Sequence, residues 1–76
     1  MSDFIYDGIS GRQLAWIDND ELFSAESGQK FATVRDGELY SLDGERLGLH
    51  LRSLGLSGEK TPPAFLRLLG IDQHHR

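Results

Sequence analysis

Three aromatic residues, Tyr6, Phe23 and Tyr40, stand 17 residues apart (23 − 6 = 17 and 40 − 23 = 17) and open three similar stretches of chain. Each is followed by a polar turn that ends in glycine: Gly11, Gly28 and Gly44. Three residues beyond each glycine stands a large apolar residue, Leu14, Phe31 or Leu47. A small one comes directly after it, Ala15, Ala32 or Gly48. The first two stretches also close alike, in Asp20-Glu21-Leu22-Phe23 and Gly37-Glu38-Leu39-Tyr40. A fixed period with matching turn, large and small positions signals one supersecondary unit used several times. The best-preserved unit, from Phe23 to Tyr40, reads strand, turn, strand, tight turn, strand, and its neighbours are variants of it.

The remaining elements follow from this unit. A short first strand covers Phe4 to Tyr6 and ends at the turn formers Asp7-Gly8 and Ser10-Gly11. Arg12 to Asp18 alternates, with Leu14 and Trp16 expected on one face and Ala15 and Ile17 on the other. Asp18-Asn19-Asp20 reverses the chain into Glu21 to Ser24, and Glu26-Ser27-Gly28 turns it again into Lys30 to Arg35. Asp36-Gly37 is the clearest hairpin signal, because a type I′ turn needs φ > 0 at both central residues. Glu38 to Leu42 pairs back, Asp43-Gly44 turns, and Arg46 to Arg52 is the last strand expected. Gly37→Val is therefore expected to harm folding far more than Gly58→Val, since Gly58 reads as part of an undemanding link.

Strict alternation makes these strands apolar on both faces. Phe31 and Thr33 share one face, while Ala32 and Val34 make the other apolar as well. A sheet apolar on part of both faces needs a second cover, from a helix or a sister subunit. That pattern is the case for a symmetric oligomer. Length supports it: a chain of 76 residues without cysteine buries only about 60% of its unfolded surface and has no disulfide to help.

Beyond Leu51 the pattern stops. Thr61-Pro62-Pro63 reads as a helix start, with Thr61 as a cap and Pro62 in the first turn, and Gly70 is a natural stop. The apolar stretch between them is under two turns and must dock, because so short a helix is unstable alone. Phe65 and Leu69, four apart, are expected to anchor it. Leu66, beside Arg67, is expected to stay partly exposed for a protein partner, with Leu68 also a candidate contact. The chain thus divides into a hairpin-repeat region, residues 1–52, and a linker with a short amphipathic tail, residues 53–76.

Charge narrows the function classes. The formal net charge is −4, with 10 acidic and 5 basic residues in 1–52 against 2 and 3 in 53–76. An acidic repeat region argues against nucleic acid, whose phosphates require clustered Lys and Arg. No apolar run approaches the roughly 18 residues of a membrane span, and the N-terminus lacks the pattern of a secretory signal. The expected setting is cytoplasmic, in a bacterial-type protein.

The residues give little chemistry. Asp18, Asp20 and Glu21 resemble the start of a calcium loop, but the required glycine and closing Glu are missing, so a polar hairpin tip is the better reading. His50 has no second ligand at metal spacing, and His74-His75 beside Arg76 lacks the four fixed ligands of a structural zinc site. Ser10, Ser24, Ser27 and Ser41 occupy turn positions, and no nucleophile elbow or phosphate loop occurs. The expectation is a non-enzyme with no cofactor and no metal. Tyr6, Trp16, Phe23, Phe31 and Tyr40 are read first as core. The alternative is a small-ligand or carbohydrate-binding module using Trp16 and its neighbours.

With the repeats laid out, residues 3–52 resemble the small bacterial four-fold β-flower family. The matching pieces are Ile5-Tyr6 through Ala15, Phe23 through Ala32, and Leu39-Tyr40-Ser41-Leu42-Asp43-Gly44-Glu45-Arg46-Leu47-Gly48. The resemblance implies a homotetramer with hairpins set like petals about a four-fold axis and no assigned enzymatic activity. The tail departs from it: family tails are low-complexity and rich in glycine or proline, whereas here Pro62-Pro63 leads into an apolar helical stretch. The combined expectation is an all-β meander of about five or six short strands with a short C-terminal helix. Its expected role is a homo-oligomeric assembly or interaction module, touching itself or a protein partner through Trp16, Phe65, Leu66, Leu68 and Leu69.

Overall fold

The computed structural model describes residues 3–70. Six strands form one sheet: β1 (Asp3–Tyr6), β2 (Gln13–Asp18), β3 (Glu21–Ser24), β4 (Lys30–Arg35), β5 (Glu38–Tyr40) and β6 (Arg46–His50). They lie in chain order, each antiparallel to the next. A 3-10 turn (Leu51–Ser53) and one short helix, α1 (Pro63–Leu68), complete the described chain. The all-β meander with a short C-terminal helix is therefore the fold. The last strand ends two residues before the expected Arg52, where the Leu51 N–H donates to the Gly37 carbonyl at 2.8 Å and the chain tightens.

Two hairpins are closed by two-residue turns. Asp36 and Gly37 have φ of 53° and 79°, as a type I′ turn demands, and Asn19 and Asp20 make the same choice at 55° and 64°. Gly58 corrects one expectation. Its φ is +83°, so the link that holds it is as demanding of glycine as the hairpin at Gly37.

The repeated large-small pair is a β-bulge. Ile5 pairs with Ala15 and Tyr6 with Gln13, which leaves Leu14 as an extra residue in β2. Leu22 pairs with Ala32 and Phe23 with Lys30, which leaves Phe31 extra in β4. Between Glu38↔His50 and Tyr40↔Arg46, three residues of β6 stand against Leu39 alone. A bulge breaks the two-residue period, so consecutive side chains can serve one face. Leu14 and Ala15 are both buried in the same core, and Phe31 packs against that core beside buried Ala32. The expected opposition of Leu14 to Ala15, and of Phe31 to Ala32, is thus overturned.

One face of the sheet consequently holds the core. The repeat supplies Ile5, Leu22 and Leu39 at the position before each aromatic, and all three are buried. Ala15 and Ala32, fully buried, lie beside them. The chain's own tail covers this face with Leu54, Phe65 and Leu66, and the Phe65 ring meets Phe31 edge-on at 5.8 Å.

The loops after β1, β3 and β5 share a device at Asp7, Ser24 and Ser41, again 17 apart (24 − 7 = 17 and 41 − 24 = 17). Each of these residues accepts a loop N–H through its side chain: Ser10 to Asp7, Ser27 to Ser24, Glu45 to Ser41. Each also accepts the N–H of the loop-closing glycine, Gly11, Gly28 or Gly44, at its carbonyl. The turn position of Ser24 and Ser41 is explained by this local capping.

The tail runs from β6 back to the β1 end of the sheet and docks on the first of these loops. The Gly58 N–H donates to the Gly8 carbonyl at 2.8 Å. A Cβ on Gly8 would stand 2.0 Å from the Leu56 carbonyl oxygen and 2.2 Å from that of Glu59. Both are backbone atoms and cannot swing aside, so Gly8 is required for close approach rather than for its φ. Gly8→Ala is expected to cost on the order of 2–4 kcal/mol by pushing the tail off the loop. Gly11→Ala meets open space and should cost about 1 kcal/mol for its left-handed φ. Denaturant unfolding of the two variants checks the order.

Candidate functional site

The face of the sheet that the tail leaves uncovered carries the other half of each strand. Register places Phe4, Trp16 and Phe23 in one row across β1, β2 and β3. Tyr6 stands beside Phe4, their rings 6.4 Å apart. Trp16 and Phe23 lie 5.3 Å apart and within 9° of parallel, an offset stack in which each ring covers part of the other's face. Phe4 and Tyr6 are 53% and 46% exposed. The solvent face of an antiparallel sheet is ordinarily polar, so a row of aromatics there stands out.

Across β4, β5 and β6 the same face is charged. Lys30 reaches Glu21 at 3.1 Å, and Arg46 holds Glu38 through two bonds of 2.7 and 3.1 Å. The hydrogen bonds that Arg46 donates to Glu38, and then the charge of that carboxylate, raise the Arg46 pKa above its ordinary value. The Arg35 guanidinium lies over the Tyr40 ring, 5.1 Å from its centroid. The open face therefore has an aromatic half and a cationic half.

This corrects the reading of the repeat aromatics as core. Tyr6, Phe23 and Tyr40 all lie on the open face, and the residues before them do the core packing. Phe31 alone of the five aromatics singled out packs against the core, because the bulge turns it there. Trp16, expected at an oligomer or ligand contact, is half-buried on the open face.

The tail residues come together, on the covered side. Phe65 is fully buried, and Leu68 and Leu69 pack half-buried against the same core. Leu66, expected to remain exposed for a partner, is 6% exposed, because α1 presents Phe65 and Leu66 together to the sheet. Phe65, Leu66, Leu68 and Leu69 are thus packed against the chain's own sheet.

Among the described residues no group of three or more His, Cys, Asp and Glu side chains could hold a metal ion. Asn19 and Asp20 form the hairpin turn at the acidic tip. His50 is exposed at the end of β6, beside an open cleft of about 470 Å³ whose other wall is Asp36 to Glu38. The Glu38 carboxylate in that wall is held by Arg46. His74 and His75 lie outside the described residues. No helix among the described residues is long and apolar enough to cross a membrane.

Two residues expected in other roles, Asp7 as a turn former and Thr61 as a helix cap, hold the tail in place. Thr61, expected to cap α1, instead donates its hydroxyl to Asp7 Oδ1 at 2.5 Å, and Pro62 takes the cap position. Ser24 and Ser41 have one side-chain oxygen each, engaged within their own loops. Asp7 has two, so Oδ2 caps Ser10 while Oδ1 is left for Thr61. The signal was an acid at a position where the other two copies carry serine.

The chain matches no protein-family model, no curated protein and no solved structure.

The Thr61 hydroxyl, and then Ser10, hold the Asp7 pKa down at about 2, from an ordinary 3.8. A depressed carboxyl stabilises the fold fully above its ordinary pKa and loses that contribution as pH falls through about 2. Thr61→Val is expected to cost about 1 kcal/mol at neutral pH in the natural chain. In an Asp7→Ser background it should cost almost nothing, and the acid-dependent loss between the two pKa values should shrink. Denaturant unfolding of the two single variants and the double, at neutral and acid pH, checks both outcomes.

Proposed function

We propose that this protein is a non-enzymatic, self-assembling module whose contact surface is the open face of its sheet. The observation that carries the reading is the row Phe4, Trp16, Phe23 with Tyr6, an aromatic cluster on the face that the tail leaves uncovered. Aromatic side chains are enriched at protein interfaces because each removes a large apolar area from water at little entropy cost. Exposed apolar clusters of this kind mark interaction sites. The resemblance to the β-flower family points the same way and makes a homotetramer the expected assembly. The tail's candidate role in partner contact passes to this face, since Phe65 and Leu66 are occupied by the core.

A sugar- or cation-binding role for Trp16 has less support. A stacking platform needs free ring faces, and Phe23 takes up part of one face of the indole. Light scattering over the micromolar range is expected to give the mass of a closed oligomer, and Trp16 fluorescence is expected to stay constant through a panel of sugars and quaternary ammonium ligands. A monomer at all concentrations, with saturable quenching by one ligand, would overturn the assembly reading in favour of the binding one.

A further inference from the structure

Resting on the assembly reading, we infer that the occupant of the open face is a second copy of the same face, turned about a two-fold axis that runs parallel to the strands between β3 and β4. The open face is self-complementary in charge. Its β1–β3 half carries two carboxylates, Asp18 and Glu21, and no cation. Its β4–β6 half carries three cations, Lys30, Arg35 and Arg46, against one carboxylate, Glu38. Glu21 with Lys30 and Glu38 with Arg46 are already paired within the chain. Asp18 and Arg35 remain as exposed opposite charges, two strands apart.

Sheets that pack face to face either keep their strands nearly aligned or cross them near a right angle, and the aligned class leaves two kinds of two-fold axis in the plane of contact. An axis perpendicular to the strands sets each strand against itself, aromatic half on aromatic half, and brings the acidic ends of the β2–β3 hairpins to the same half of the contact. An axis parallel to the strands sets β2 over β5 and β3 over β4. The register row Asp18–Glu21–Thr33–Tyr40 then opposes its own reverse, so Asp18 meets Tyr40 of the second copy. The Arg35 guanidinium lies over that ring, so the two unpaired charges face each other, twice per dimer. In the next row Phe23 comes over Lys30 of the second copy, an aromatic ring against an aliphatic stem and its ammonium. Opposed charges in register favour this arrangement, and like charges in the alternative oppose it. A tetramer built from such two-fold pairs has perpendicular two-fold axes, in place of the four-fold ring that the β-flower resemblance implies.

The test is an exchange of charges between copies, read by sedimentation equilibrium, with circular dichroism to confirm folding. Asp18→Arg alone sets two guanidinium groups against each other in both contacts, and Arg35→Asp alone sets two carboxylates against each other. Each variant is expected to weaken assembly by roughly tenfold or more. An equimolar mixture of the two restores an ion pair of reversed polarity in one contact of a heterodimer and keeps the natural pair in the other. That mixture is expected to recover the native mass. Single variants that keep the native mass would overturn this pairing and leave assembly through another surface standing. Single variants that dissociate and are not rescued by mixing would overturn the two-fold relation. A natural chain that is monomeric throughout would remove the pairing and the assembly reading together.

Discussion

The packing of Phe65 against the bulged face of the sheet is the contact on which the rest of the structure depends. A meander of short strands has no second sheet to cover it, and a chain of 76 residues has little length to spare. Full burial of Phe65 and Leu66 contributes about 1.5–3 kcal/mol each. A domain of this size is stable by roughly 4–11 kcal/mol in total. Two side chains of the tail thus supply a share comparable to the whole margin, which makes the tail the second layer of the fold. Because that layer comes from the chain itself, the opposite face is the one left uncovered.

The bulges make this arrangement possible. Without them Leu14 and Phe31 would follow strict alternation onto the open face, and the covered face would be too poor in apolar surface to hold the tail. With them, the first two repeats each deliver a large and a small residue to the core in succession, Leu14-Ala15 and Phe31-Ala32, and in the third Leu47 packs against it. The open face keeps the repeat aromatics, which there meet charged neighbours and solvent. Divergence at one repeat position then ties the tail down: serine caps its own loop at two copies, while Asp7 caps its loop and also holds Thr61.

Much of the fold was legible in the sequence. The period of 17, the Asp36-Gly37 turn and the Thr61-Pro62-Pro63 start placed the six strands and the helix to within two or three residues. The facing of side chains was not legible. Period-two alternation assumes an unbroken ladder, and a bulge leaves no signature in the type of one residue, although the large-small pair recurring at Leu14-Ala15 and Phe31-Ala32 was the available clue. The site was legible in part. Trp16 was singled out, but its row with Phe4 depends on strand register, and Asp7 with Thr61 is a contact across 54 positions that no local pattern encodes. Leu66 was misplaced because the facing of a helix under two turns is set by what it docks on.

Whether the tail is the second layer can be measured directly on a chain ending at Lys60. Without Phe65 and Leu66 the covered face keeps only Leu54 of its cover, and the expected result is loss of the cooperative thermal transition, with dye binding to the exposed apolar face. A truncated chain that melts at the same temperature and assembles to the same number of subunits as the natural one would contradict this, and would place the cover of that face in a neighbouring copy.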